Sequence, residues 1–180
     1  MRLYTIGHSN HSLDVFTDWL VVHGISLLFD IRRYPGSRRL PQLNQGSLRR
    51  GLAAAGIDYH WYGESLGGRR EGGIDTDGLE ALPEGALRNF AAHMNSTAFR
   101  VAIDESLRLA SVAPAAFMCA ERDPGRCHRQ LISDYLVLQG HEILHITGMN
   151  STMRHQPNPV ARLEADRIYY DRGTQPELDW

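Results

Sequence analysis

The sequence predicts an α/β fold, a three-layer sandwich with a mainly parallel five-stranded sheet and helices on both faces. Two observations carry this. Short apolar runs alternate with segments whose apolar residues recur at helical spacing, and the run 27–31 is apolar except at Asp30, as a strand covered on both faces would be. Strands alternating with helices are joined by right-handed crossovers, which make the sheet parallel.

Residues 3–7 read as the first strand, followed by a turn at Gly7-His8-Ser9-Asn10. Ser12 can cap a helix whose Leu13, Phe16 and Leu20 share a face, and Gly24 ends it. The second strand is 27–31, and 34–46, with two Pro and two Gly, is a loop. Leu48 and Leu52 mark a short helix closed by Gly56, and 57–62 form the third strand. A long acidic, glycine-rich loop then runs to about Pro83, placed where it could close over a ligand. Two helices follow, one with Leu87, Phe90 and Met94, the other with Phe99, Ile103, Leu107 and Ala110. Residues 115–119 form the fourth strand; a helix carrying Leu131, Ile132, Tyr135 and Leu138 ends at Gly140, and 142–146 form the fifth. This organisation gives one α/β domain over 1–148 and a C-terminal extension or partly ordered tail over 149–180.

No apolar stretch approaches the roughly 20 residues of a membrane span, and the N-terminal residues MRLYTIGHSN meet polar positions before a secretory core develops. A cytoplasmic location without membrane partners is the expectation. Two cysteines, Cys119 and Cys127, fit a reducing compartment, where a thiol is either packing or chemistry.

Charge is segregated along the chain. All 19 basic residues are arginine. Four Arg-Arg pairs (32–33, 38–39, 49–50, 69–70) fall within 30–70 and give that segment a charge of +5, while 71–121 carries −5. One face therefore attracts anions, and the guanidinium fork suits phosphate or carboxylate.

Ligands on parallel sheets collect beyond the carboxyl ends of the strands, and the chemically capable residues fall there. His8 and Ser9 follow strand one. Asp30 and Arg32 end strand two, Gly67 and Gly68 follow strand three, and Cys119 and Glu121 end strand four. Cys119 is a candidate nucleophile or a small packing residue, and Cys127 more simply a packing residue at the cleft. His8 and His128 are candidate acids or bases. Asp30, a carboxylate ending an apolar strand, must either pair with Arg32, Arg38 or Arg129 or orient His8; Glu121 has the same ambiguity. Arg32, Ser37, Arg38 and Arg129 form a phosphate-contacting set, and Gly67 and Gly68 would admit a ligand close to the backbone. No cofactor is expected. His8, His11, Cys119, Cys127 and His128 are possible metal ligands, but no metal is expected either, since Cys-x-x-Cys and His-Glu-x-x-His are absent. The missing Walker loop, Gly-x-Gly-x-x-Gly and Gly-x-Ser-x-Gly argue against a standard nucleotide hydrolase, a dinucleotide enzyme and a serine hydrolase.

Four ordered motifs, Thr5-Ile-Gly-His-Ser9, Asp30-Ile-Arg-Arg-Tyr-Pro-Gly-Ser-Arg38, Leu66-Gly-Gly68 and Cys119-Ala-Glu-Arg-Asp-Pro-Gly-Arg-Cys-His-Arg129, resemble the bacterial domain-of-unknown-function 488 family from residue 3 to about 147. The resemblance implies an α/β fold and these positions, without a settled activity. The loop 119–129 is also partly similar in layout to those of tyrosine phosphatases and rhodaneses, although Arg126 lies seven residues after Cys119, one more than the phosphatase signature, and is followed by Cys127. In the last six residues, Gln175, Leu178 and Trp180 have the spacing of peptides that dock on the sliding clamp. Two functional readings follow. One is a hydrolase or transferase for a phosphate-bearing or otherwise anionic, nucleotide-type substrate, with His8, Asp30, Cys119 and Glu121 reacting and Ser9, Arg32, Ser37, Arg38, Gly67, Gly68, Cys127, His128 and Arg129 binding. The other is a nucleic-acid-associated accessory protein of repair or replication, without catalysis, recruited through the tail.

Overall fold

The structure, a computed structural model, describes residues 1–72 and 75–171. The strands are β1 (Arg2–Gly7), β2 (Leu27–Asp30), β3 (Asp58–Trp61), β4 (Ala115–Cys119), β5 (Glu142–Gly148) and β6 (Ser151–Arg154). They form one sheet in the order β3-β2-β4-β1-β5-β6, parallel throughout except for β6, which runs antiparallel to β5. The sheet thus has six strands where five are predicted. The sixth comes from the polar segment after Gly148, whose four residues are all exposed and carry no apolar alternation to announce a strand.

Helices cover both faces. On one side, α1 (Leu13–Val22) and α2 (Gln45–Ala54) bury Phe16, Leu20, Leu48 and Leu52 against Ile6, Leu28, Ala116, Met118 and Ile146. On the other, α4 (Ala86–Met94), α5 (Thr97–Ala110) and α6 (Arg129–Leu138) bury Phe90, Phe99, Ile103 and Leu131 against Leu3, Phe29, Phe117 and Ile143. Each such side chain contributes about 2 kcal/mol by leaving water. Ser12 and Ser96 accept from the amides of Val15 and Phe99, and so cap α1 and α5. The one-turn α3 (Gly63–Leu66) follows β3.

The predicted loop to Pro83 is anchored at its far end. Leu79 and Leu82 are buried, and the amide of Ala81 donates to Tyr170 O at 2.9 Å. Tyr170 lies on a separate hairpin of β7 (Ala161–Glu164) and β8 (Arg167–Tyr170), whose Ile168 and Tyr170 are fully buried in the α4–α6 layer. Residues 149–171 are therefore folded onto the domain. No helix among the described residues is long and apolar enough to cross a membrane.

The register sorts the strand-end residues between the two faces. Asp30 pairs with Met118, whereas Gly7 pairs with Cys119. Adjacent residues of a strand point to opposite faces, so Asp30 belongs with Met118 on the α1/α2 side and Cys119 with Phe117 on the α5/α6 side.

Candidate functional site

A cleft of about 500 Å³ opens at the carboxyl ends of β2 and β4. Its floor is Cys119, Cys127 and His128, and its walls include Arg33, Tyr34, Gly68, Arg69, Leu87 and Arg126. Cys127 and its neighbour His128 follow Cys119 by eight and nine positions in the sequence. They meet because β4 ends at Cys119, a 3₁₀ turn (Pro124–Arg126) capped by Asp123 reverses the chain, and α6 begins beside the strand end. Asp123 Oδ1 accepts from the amide of Gly125 at 2.9 Å, which holds the turn.

His128 Nε2 faces Ile31 O at 3.2 Å. A carbonyl only accepts, so the proton sits on Nε2 and the lone pair of Nδ1 faces the two sulfurs, at 3.9 Å from Cys119 and 3.5 Å from Cys127. The ring is held by the edge-on contact with Phe90, at 4.9 Å between centroids, and by Gly68, where a Cβ would stand 2.4 Å from His128 Cγ. Any side chain at 68 would displace the imidazole. Cys127 is held low by the hydrogen bond from Cys119 and by the Arg129 charge, against the opposing effect of burial. Cys119 is raised, by the bond to Cys127 and by burial.

His8, Asp30 and Arg32 form a second group on the other face of the sheet edge. Arg32 donates to both oxygens of Asp30, at 2.9 Å from Nε and 2.6 Å from Nη2, and its Nη1 reaches Leu43 O at 3.0 Å and His8 Nε2 at 3.1 Å. Arginine can only donate, so His8 accepts at Nε2 and gives its Nδ1 proton to Ser9 O at 2.8 Å. Both ring nitrogens are engaged, and burial, followed by the Arg32 charge, lowers its pKa to about 4. Tyr59 OH donates to Asp30 at 2.6 Å, and its pKa is raised by burial and then by that carboxylate. Asp30 is therefore paired with Arg32, and Arg32, although it borders the cleft, spends its fork on protein acceptors.

Arg129 lies behind the floor, only 1% exposed. It donates to Thr5 Oγ1 at 3.1 Å, to Arg122 O and, very closely, to Glu121 O. Glu121 stands at the cleft with an exposed side chain whose Oε1 accepts from the amide of Asp123 at 3.3 Å. Its carbonyl presses on the backbone of Gly7, where a Cβ would meet it at 1.9 Å. Ser9, Ser37 and Arg38 do not line the cleft: Ser9 follows β1 at φ 49°, Ser37 Oγ caps the turn at Arg39 and Leu40, and Arg38 is exposed. Gly67 packs against Gly63 O and Arg33 Cα. Gln175, Leu178 and Trp180 lie outside the described residues. Sequence reasoning left Arg33, Tyr34, Arg69 and Arg126 out of the site. The Arg-Arg pairs were the available signal, but only the fold shows which partner of a pair faces the cleft.

The molecule is thus an α/β sandwich with a thiol–imidazole cleft at the carboxyl ends of its strands. The chain belongs to the family described as Domain of unknown function DUF488, whose model matches residues 12–136, well over half of its length. No curated protein and no solved structure matches it.

Proposed function

We propose that the protein is an enzyme, a hydrolase or transferase, for a small phosphate-bearing or otherwise anionic substrate bound in the cleft. The observation that carries this reading is that the buried Cys119–Cys127–His128 cluster forms the floor of a cleft with Arg33, Arg69 and Arg126 on its walls. Among the described residues Arg69 and Arg126 make no ion pair and Arg33 donates only to Glu64 O, so these guanidinium groups are free to meet an anion. Burial strengthens both attraction and reaction at the floor, because water that would screen charge is excluded. The cluster supplies the reacting group and the arginines hold the leaving or transferred anion against it. A panel of phosphomonoesters, nucleotides and acyl phosphates tests this. Turnover that disappears in Cys127→Ser and is inhibited by inorganic phosphate supports it; binding of phosphate that is indifferent to Arg69→Ala and Arg126→Ala overturns it.

A further inference from the structure

Three donor atoms lie close together at the cleft floor. The sulfurs of Cys119 and Cys127 and Nδ1 of His128 all lie within 4.8 Å of one another. In a tetrahedral zinc site, bonds of about 2.3 Å to sulfur and about 2.0 Å to nitrogen separate neighbouring sulfur and nitrogen ligands by about 3.6 Å. The two sulfur–nitrogen separations here, 3.9 and 3.5 Å, are close to that edge.

The imidazole is also prepared as a ligand. Its Nε2–H is fixed on the Ile31 carbonyl, the usual outer partner of a metal-bound histidine, and this leaves Nδ1 unprotonated toward the sulfurs. Gly68 and Phe90 hold the ring in place. Two thiols and an imidazole form a soft set that suits zinc rather than magnesium or calcium.

We infer that Cys119, Cys127 and His128 form a zinc-type metal site with three protein ligands and a fourth position open to the cleft. Closed structural sites use four protein ligands, whereas three with an open position belong to catalysis. Two thiolates neutralise the dication, so Arg33, Arg69 and Arg126 keep the cleft positive, and the open position takes water or an anionic oxygen of the substrate. This inference rests on the anionic-substrate reading only for what occupies that position. Spacing rules overlook the site because Cys-x₇-Cys-His matches no finger motif; the strand end, turn and helix start bring the ligands together.

The test uses the full chain, stripped with a chelator under reducing conditions and titrated with Co²⁺. One cobalt per chain is expected, with thiolate-to-cobalt charge transfer in the near ultraviolet and intense tetrahedral bands in the visible, all abolished by stoichiometric Zn²⁺. Cys119→Ser, Cys127→Ser and His128→Asn, each checked for folding by circular dichroism, should weaken zinc binding by more than about 100-fold. Gly68→Ala, which alters no ligand, should weaken it through the displaced ring. Weak octahedral absorption, or zinc affinity indifferent to all four variants, overturns the site. Inorganic phosphate separates the two readings. A phosphate shift of the cobalt bands supports both. Tetrahedral cobalt that ignores phosphate keeps the metal and removes the anion from the open position, and phosphate that shields the thiols from iodoacetamide without any cobalt binding does the reverse.

Discussion

Arg129 and Asp134 are opposite charges on the same helix, each 1% exposed, and they are joined through three intervening side chains. Arg129 donates to Thr5 Oγ1 at 3.1 Å, Thr5 reaches His145 Nδ1 at 2.7 Å, His145 Nε2 reaches His155 Nδ1 at 2.9 Å, and His155 Nε2 reaches Asp134 Oδ1 at 2.7 Å. Arginine can only donate and a carboxylate can only accept, so every bond between them points the same way. The chain ties β1, β5 and the segment after β6 to the helix that starts at the cleft floor, and Tyr170 of the hairpin closes it on Asp134 Oδ2 at 2.9 Å.

Removing one end leaves the other charge buried without its counter-ion. Asp134→Ala should therefore destabilise the fold by about 3 kcal/mol or more. Tyr170→Phe, which deletes one hydrogen bond to the same carboxylate, should cost about 1 kcal/mol. Urea unfolding of the two variants gives the comparison, and equal losses would mean that Asp134 acts as an ordinary hydrogen-bond acceptor.

The same chain makes stability depend on pH. Burial, then the neighbouring His155 and Arg129, lower the His145 pKa to about 3, with Asp123 and Cys127 opposing. Asp134 faces it only through His155. Above the ordinary value of about 6.5, neither the folded nor the unfolded chain binds a proton here and the contribution to stability is complete. As the pH falls below that value the unfolded chain takes up a proton that the folded chain refuses, so stability is lost, by about 2 kcal/mol at pH 5. His145→Gln should be less stable at pH 7.5 yet lose less between pH 7.5 and pH 5. Parallel profiles for the two proteins would assign the acid sensitivity elsewhere.

Much of the fold was legible because burial and periodicity coincide. Phe16 and Leu20 in α1, Phe99 and Ile103 in α5, and the Ser12 cap all stand where helical spacing and cap chemistry put them. β6 was not, since an exposed polar strand has no alternation to read. The candidate site was legible as a set of strand-end positions and illegible as an arrangement. Whether Asp30 and Cys119 share a side of the sheet depends on the pairing of Asp30 with Met118, and register is a tertiary property. The pairing of Asp30 with Arg32 was one of the alternatives the sequence offered, but nothing in the sequence announces that Leu43 O, Thr5 and Glu121 O take up further donors of Arg32 and Arg129.

Gly68 offers a narrower test of how the floor is built. A methyl group there would lie 2.5 Å from His128 Nδ1 and 2.4 Å from Cγ, and the ring cannot fold away as a flexible chain would. Gly68→Ala should cost about 1–3 kcal/mol through overpacking. It should also move the imidazole resonances of His128 in a two-dimensional NMR spectrum. An unshifted ring would mean that the backbone at 68 yields instead.

The arginines at the cleft divide into structural and ligand-facing groups, and mutation should separate them. Arg32 holds the buried Asp30, the Leu43 carbonyl and His8 with one fork, so Arg32→Ala should cost about 3 kcal/mol by leaving a carboxylate unpaired. Arg32→Lys should recover little, because an ammonium cannot reproduce a bidentate planar contact while reaching two further acceptors. Arg126 is exposed on the cleft wall and makes no ion pair among the described residues. Arg126→Ala should leave the unfolding midpoint within about 0.5 kcal/mol of the parent, yet weaken phosphate binding about tenfold, the effect of losing roughly 1.4 kcal/mol of charge-assisted contact. Isothermal titration with inorganic phosphate, alongside urea unfolding, measures both quantities on the same samples. If Arg126→Ala unfolds early, or Arg32→Ala weakens phosphate binding without loss of stability, the division is reversed and the anion sits against the Asp30 side of the sheet.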